Sequence, residues 1–468
     1  MKIPNTECVK KIGEEVLLAG WVHIRRDHGK IIFIDLRDRS GLIQLVFNPQ
    51  NSPNGKNDYY KLADTLRAEY VIEVSGTVKK RPAGMENPKI ETGEIEIEIE
   101  KLELLAKAKT PPFDLTKDTK DVDEELRMKY RYLDLRTSRV SKIIEMRHNV
   151  VKFIRDYLSN LDFWEIETPI LSKSTPEGAR DFIVPSRQQP GKFYALPQSP
   201  QQYKQMLMLA GIEKYFQIAH CLRDEDPRGD RQAEHTQLDI EMSFITQEDI
   251  LKLIEDLYSN LIKKLFPEKK ITTYPFPRMT YQQTLEKYKS DKPDLRKNKN
   301  DSNELAFAFI VDFPMFEWLK GDKKWGAMHH PFTKPQSESI EEMKNHPEKI
   351  KAFQYDFVLN GFEIGGGSIR TTNLKILEAV FEVLGHSSDE IKKQFGHYFE
   401  AFSYGVPPHG GIAPGIDRLI MLLANEPNIR EVIAFPKTGD GRDLMMNAPS
   451  DVSNEQLKEL KIKILKND

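Results

Sequence analysis

Arg223, Asp224 and Glu225 open a charged run inside LRDEDPRGDRQAEHTQLDIEM, residues 222–242. A solvated hairpin tip has the same composition, and the flanking residues separate the two readings. Before the charges, Phe216, Ile218, His220 and Leu222 alternate with Gln217, Ala219, Cys221 and Arg223. After them, Leu238, Ile240, Met242 and Phe244 alternate with Gln237, Asp239, Glu241 and Ser243. This period of two predicts a pair of antiparallel strands with one apolar face and one face of arginine, glutamine and carboxylates. An arginine at the strand end suits a bidentate clamp on phosphate or carboxylate.

Two further segments carry the same kind of chemistry. HGGIAPGIDRLIMLLANEP leads through glycines into a helix with Arg418 in its first turn. A cation there opposes the partial positive charge of the helix N-terminus, and a bound anion would remove the conflict; an exposed arginine with slack fits equally. YDFVLNGFEIGGGSIR sets Asp356 and Glu363 seven positions apart, followed by three glycines and Arg370. Paired carboxylates opposite arginines suit Mg²⁺ bridging phosphates. A dinucleotide fingerprint is excluded, because position 370 is Arg where the third glycine belongs. The adjacent His329 and His330 point oppositely on a strand and have no further His or Cys at ligand spacing, so metal binding there is not expected.

These residues need elements to hold them. Residues 15–105 read as three strands, a helix over NDYYKLADTLRAE and two strands ending in the alternating EIEIEIEKLELL. That is the element order of an OB-fold barrel. KAKTPPFDLTKDTKDVDEE is Pro-, Lys- and Asp-rich and reads as a linker. Mixed α/β follows. Ile143, Met146, Val150, Phe153, Ile154 and Leu158 mark an amphipathic helix, and DILKLIEDLYSNLIKKLF marks a second. KSDKPDLRKNKNDSNE, residues 289–304, reads as a flexible polar loop.

Composition is that of an ordinary globular chain of 468 residues, with 30% charged and 39% hydrophobic residues and a net charge of −3. No global basic field exists, so a nucleic-acid surface must be a local patch. Two distant cysteines, Cys8 and Cys221, give neither a disulfide framework nor a metal site, and fit a reducing cytoplasm. The start lacks the apolar core of a signal peptide and no apolar run is long enough for a membrane span.

Together the segments resemble the three signature motifs of class II aminoacyl-tRNA synthetases: FWEIETPIL with Pro169, CLRDEDPRGDRQAEHTQLDIEMSF, and GGIAPGIDRLIMLL. The resemblance runs along nearly the whole chain and is closest to the bacterial aspartyl-tRNA synthetases, through TPEGARDF, ALPQSPQQYKQ, FPRMTY, GAMHHPFTKP and REVIAFPK. It implies a multidomain protein. An N-terminal OB-fold anticodon-binding β-barrel (1–106) would be joined by a hinge (107–134) to an α/β class II catalytic domain built on an antiparallel sheet (135–468). It also implies ATP-dependent attachment of aspartate to tRNA-Asp through an aspartyl-adenylate, with Mg²⁺, in a homodimer whose interface includes the first motif.

Roles carry over by position. Glu177, Ser199, Gln201, Lys204, Arg223, Asp239, His329 and Arg370 would bind aspartate. Arg223, Asp224, Glu225, Gln232, Glu363, Gly415, Ile416, Asp417 and Arg418 would bind ATP, with Arg223 and Arg418 as the catalytic cations. Asp356 and Glu363 would hold Mg²⁺. Carboxylate attack on the α-phosphorus needs cations and positioning rather than a protein nucleophile, in keeping with the lack of a Ser–His–Asp or Cys–His set.

The chain departs from the bacterial pattern after SDKPDLR, where a large inserted domain is expected. Here only KNKNDSNE (297–304) intervenes. In the barrel, Arg25, Arg26, His28, Lys30 and Phe33 suit anticodon phosphates and bases. His28, with Gly84 in RPAGMENP, matches members with relaxed anticodon choice, so tRNA-Asn is an expected second substrate. The alternatives are an asparaginyl-tRNA synthetase, an amidoligase paralogue making asparagine, and a non-catalytic tRNA-binding paralogue.

Overall fold

The computed structural model describes residues 1–51, 58–174 and 179–465. By its contacts the chain divides into one unit up to Arg139 and a second from Val140 onward.

In the first unit, β1 (Glu15–His28), β2 (Ile31–Arg37), β3 (Leu42–Phe47), β4 (Val71–Lys80) and β5 (Ile95–Ala106) close a barrel in the order β1-β2-β3-β5-β4. Helix α1 (Asp58–Thr65) lies between β3 and β4 in the chain. All neighbours are antiparallel except β3 and β5. Closure leaves no free sheet edge. The alternation of the sequence becomes an inside and an outside: Ile95, Ile97 and Ile99 are buried while the intervening glutamates face outward.

The stretch read as a linker folds in its second half into α2 (Glu124–Lys129) and α3 (Arg131–Asp134). Most of its charges stay exposed, but Arg127, Arg131 and Asp134 near its end turn inward. The buried Asp134 carboxylate accepts from Arg131, Arg127 and Thr119.

The second unit begins along α4 (Ser138–Ser159) and is built on an eight-stranded sheet. Its strands are β6 (Trp164–Glu165), β7 (Lys214–Leu222), β8 (Glu234–Ser243), β9 (Arg278–Thr280), β10 (Phe307–Val311), β11 (Gln354–Leu359), β12 (Phe362–Ile369) and β13 (His409–Pro414). The order is β9-β10-β11-β12-β13-β8-β7-β6, antiparallel except for the outermost pair at each edge.

One face of this sheet carries the core. Leu238 and Ile240 of β8, Tyr355, Phe357 and Leu359 of β11 and Ile412 of β13 pack with Ile143, Val150, Ile154 and Leu158 of α4. Helix α6 (Gln247–Leu265) completes this layer with Ile250, Ile254, Leu257, Tyr258 and Leu261. A capping box between Thr246 and Asp249 starts α6, a feature worth about 1 kcal/mol. With the apolar alternates pointing to the helices, period two sends Gln237, Asp239, Glu241, Gln354 and Asp356 to the other face.

Residues 289–304 are pinned rather than loose. Asp294 and Arg296 pair at 2.8 Å, and the Glu304 carboxylate accepts from the backbone N–H groups of Lys297 and Asn298, each at 2.8 Å. Local carboxylate-to-backbone bonds of this kind leave no hydrophobic signature, so polarity alone misleads.

Candidate active site

The polar face of β8 is buried, which rules out the solvated reading. Asp239 and Glu241 are both fully buried. Helix α5 (Gln201–Leu209) lays Lys204 across them, its ammonium 2.9 Å from Asp239 Oδ1 and 3.4 Å from Glu241 Oε2. Arg370, just beyond β12, sends Nε and Nη2 to the two Glu241 oxygens at 2.9 and 3.0 Å, and Nη1 to Ser368 Oγ. Gly411 pairs with Glu241 across the sheet, and a Cβ there would fall 2.1 Å from Glu241 Oε2. Only glycine leaves that carboxylate its place.

Burial opposes the charge of Glu241, but Arg370 and Lys204 outweigh it and draw the carboxyl down to about 2. Asp239 goes the other way, because burial outweighs Lys204 and raises its carboxyl. Behind the quartet, Gln205 Oε1 lies against Tyr398 OH and 3.2 Å from His409 Nε2, fixing α5 to β13.

Arg223 stands at the end of β7 and Arg418 in the first turn of α7 (Ile416–Ala424), whose N-cap is Gly415. The expected conflict of Arg418 with the helix terminus is met within the protein. Its Nη1 donates to the Glu363 carbonyl, and Nη2 reaches Asp230 Oδ2 at 3.2 Å. Asp417 pairs with Arg147 of α4 and accepts from the Thr236 N–H at 2.8 Å, so it braces α7 against α4 and β8. Gln232 is also engaged. Its amide donates to the Lys437 carbonyl at 2.6 Å and accepts from the Lys437 N–H at 3.1 Å.

Asp356 on β11 and Glu363 on β12 approach one another beneath Gly366. A Cβ on that glycine would sit 3.2 Å from Asp356 Oδ1 and 3.7 Å from Glu363 Oε1. Burial and the neighbouring Glu363 push the Asp356 carboxyl well above the usual range. Burial acts on Glu363 too, but Lys292, 3.3 Å away, and Arg418 hold its carboxyl below the usual range.

These groups share one cavity of about 350 Å³. Ser199, Gln201, Lys204, Arg223, Glu225, Gln232, Asp239, His329, Glu363, Arg370, Gly415, Asp417 and Arg418 all line it. Three of the residues assigned in the sequence to aspartate, ATP or Mg²⁺ do not. Asp224 faces Arg180, 3.6 Å away; Ile416 is core; and Asp356 lies buried behind Gly366. Glu177 lies outside the described residues.

Reasoning from sequence missed His330, Gln354 and Arg147. His330 lines the cavity with its Nδ1 accepting from the Phe332 N–H at 3.2 Å. Nε2 therefore carries the proton, and burial, Arg370 and Lys204 push the group down to about 3, so the ring is neutral. The HH pair was legible as a doublet; its orientation was not. Arg147 is far from Asp417 in the chain and left no signal.

The wall has a pattern of unmet hydrogen bonds. Among the described residues, Gln201 Nε2, Arg223 Nε, His330 Nε2 and Arg418 Nε are buried donors without a partner. Among the described residues, Asp239 Oδ1 is the cavity acceptor in that set, with only the Lys204 ammonium 2.9 Å away. Buried donors without partners are costly, so the cavity is complementary to a ligand rich in anionic oxygens that carries one cationic donor.

In the barrel unit, Arg25 is held by Asp27 and Asp64 at 2.9 and 2.7 Å, and Arg26 by Asp35 at 2.7 Å. Arg26 pairs with the half-buried Phe33 across β1 and β2. His28 is exposed at the end of β1, and Gly84 has φ +83°, a left-handed conformation that favours glycine. No helix among the described residues is long and apolar enough to cross a membrane.

Residues 123–439 match the family model described as tRNA synthetases class II (D, K and N), and residues 16–105 match the OB-fold nucleic acid binding domain. The chain is 44% identical to the Aspartate--tRNA(Asp/Asn) ligase of Dictyoglomus turgidum, over 97% of this chain and 96% of that protein. It is 40% identical to the Aspartate--tRNA ligase of Staphylococcus epidermidis, over 97% of each. The latter alignment spans 578 positions against a chain of 468, so the relative carries over a hundred residues with no counterpart here. In fold the chain is similar to the asparaginyl-tRNA synthetase of Pyrococcus horikoshii solved with asparaginyl-adenylate, with a TM-score of 0.75 at 24% identity over 94% of this chain and 98% of that one. A putative aspartyl-tRNA synthetase from Leishmania major gives a TM-score of 0.74 at 20% identity, over 93% of this chain and 94% of that one. With a five-stranded barrel before an antiparallel-rich sheet, and this agreement along both parts, the chain belongs to the class II tRNA synthetases of the D, K and N group.

Proposed function

We propose that the protein is an aspartate–tRNA ligase that joins L-aspartate to tRNA-Asp, and also to tRNA-Asn, by way of an aspartyl-adenylate. The observation that carries this reading is the set of orphaned groups on the cavity wall, four donors and one acceptor. An amino acid with two carboxylates and one ammonium, meeting a polyphosphate, matches that set.

At the inner end, Arg370, Lys204 and the Nε2–H of His330 face the side-chain carboxylate, with His329, Ser199 and Gln201 beside them; Asp239 takes the ammonium. Asparagine would put an amide N–H₂ against donors and leave them unmet, which disfavours the asparaginyl alternative. At the outer end, Arg223 spans the α-phosphate and the reacting carboxylate, and Arg418 takes the distal phosphates. Arg418 already rests on Asp230, so it is pre-positioned before nucleotide arrives. Asp417 and Gln232 act through their bracing contacts.

Asp356 and Glu363 fit a divalent cation such as Mg²⁺. Two carboxylates converge beside Gly366, where burial and the neighbouring Glu363 push the Asp356 carboxyl up. When bound, the metal would screen the repulsion between ATP and an anionic attacker. Among the described residues no third His, Cys, Asp or Glu joins them, so the remaining ligands would come from phosphate and water.

The barrel up to residue 106 is the anticodon-binding domain and residues from 135 onward the catalytic domain. The enzyme works in the cytoplasm as a homodimer, with exposed Trp164, Ile170 and Leu171 around Pro169 offering the apolar surface for a second copy. Aspartate-dependent ATP–pyrophosphate exchange, run beside asparagine, tests the activity; exchange with neither amino acid sinks it. Charging of tRNA-Asp and tRNA-Asn transcripts tests the second substrate, and a defect of about a thousandfold on tRNA-Asn, within reach of anticodon discrimination, removes that half of the reading.

A further inference from the structure

Lys292 has no place in the three signature segments, yet its ammonium lies 3.3 Å from Glu363 Oε2. The segment that delivers it is built to hold position. The Lys292 N–H donates to Ser290 Oγ at 3.0 Å, and Asp294 pairs with Arg296 two residues on. Gly361 lies beside this segment: a Cβ there would fall 3.3 Å from Asp294 Cβ and 3.9 Å from the Lys292 carbonyl oxygen. It has φ +87° in the turn joining β11 to β12. Those are the strands that carry Asp356 and Glu363. The turn is anchored in its own right, with Asn360 Oδ1 accepting from the Ala306 N–H at 2.8 Å. Lys292 is therefore fixed against the hairpin whose carboxylates it faces, and its side chain stays about one-third exposed, with room to swing away.

We propose that Lys292 is a tethered counter-cation for the Asp356–Glu363 pair, occupying the charge position of the divalent metal until metal and nucleotide arrive together. This rests on the reading of those carboxylates as the metal site. Two carboxylates beside an ammonium bind a bare divalent cation weakly, because the cation must displace a charge already present. Phosphate oxygens brought by ATP supply the missing ligands and a new partner for the displaced ammonium. Lys292 so acts as a positioning residue that couples metal uptake to nucleotide uptake and keeps Glu363 oriented in between.

The test is Mn²⁺ binding to the full chain without nucleotide, followed by the loss of the free-Mn²⁺ electron paramagnetic signal, for wild type, Lys292→Met and Lys292→Arg. Lys292→Met is expected to bind Mn²⁺ at least tenfold more tightly than wild type, and Lys292→Arg to restore the weak wild-type behaviour. Equal affinity in all three, weaker binding in Lys292→Met, or no detectable binding in any of them overturns the proposal. The readout needs no catalysis, so it is independent of the exchange assay. If wild type shows no exchange, the ligase reading fails while the Mn²⁺ comparison still stands or falls alone.

Discussion

Arg370 and Glu241 meet in a two-point contact at 2.9 and 3.0 Å with both side chains buried, 129 positions apart in the chain. An arginine that lines the cavity is thus itself held by a carboxylate that never reaches solvent. Removing one partner of a buried pair leaves the other charge uncompensated, so Glu241→Ala should cost about 3–5 kcal/mol of stability, read from chemical unfolding.

The same pair sets an acid limit. The Glu241 carboxyl is drawn from the ordinary 4.5 down to about 2, so its contribution is complete above 4.5 and is lost as pH falls through 2. The stability gap between wild type and Glu241→Gln should be level above pH 4.5 and shrink below it. A gap that instead opens toward low pH would show that the carboxyl is not held ionised by its partners.

Aspartate binding should show no step near neutral pH. His235, His329 and His330 are all held below the ordinary 6.5 by burial; His235 and His330 go down to about 3, with Arg223 and Arg418 adding to the effect on the first and Arg370 and Lys204 on the second. Calorimetric titration with aspartate between about pH 6 and 8 checks this. His330→Phe, which deletes the orphan Nε2 donor, should weaken aspartate by about 1.5–3 kcal/mol, the range for a hydrogen bond to a charged group.

Arg223 and Arg228 sit five positions apart on one hairpin and should separate two steps. Arg223 lines the cavity with Nε unpartnered, whereas Arg228 is exposed in the tip and bridges to Arg231. Arg223→Ala should lower exchange by about 10²–10³-fold or more, as loss of an oriented charge donor does. Arg228→Ala should leave exchange intact and slow transfer to tRNA.

Gly84 should be intolerant of side chains for a conformational rather than a steric reason. Nothing lies within 4 Å of a Cβ built there, but its φ is +83°. Gly84→Ala should cost about 1 kcal/mol locally and change the ratio of charging between the two tRNAs while leaving exchange untouched.

Much of this was legible from period and chemistry. The alternation around residues 216–223 and 237–243 located the strands, and the EIEIEIE run located a barrel wall, because both reflect a face that must be buried. Arg223 and Asp239 on those strands, with Gly415, Asp417 and Arg418, converge on one cavity. What escaped the sequence depends on contacts between distant positions: Arg147 with Asp417, Gln205 with His409, and Lys292 with Glu363 have no local pattern to betray them. Charge also misled in one direction. Asp134 turns inward and Glu304 gathers backbone donors near the surface, so segments that looked like slack chain are folded.

The loop at residues 297–304 has a geometric consequence. Glu304 clasps the backbone of Lys297 and Asn298, so the chain leaves and re-enters the sheet region at adjacent points. A domain hung at such a socket needs only two neighbouring tethers and re-routes no strand. Its presence or loss is then a change of cargo rather than of scaffold, and a foreign module grafted between Lys297 and Glu304 would leave the sheet, the cavity and the β11–β12 hairpin where they are.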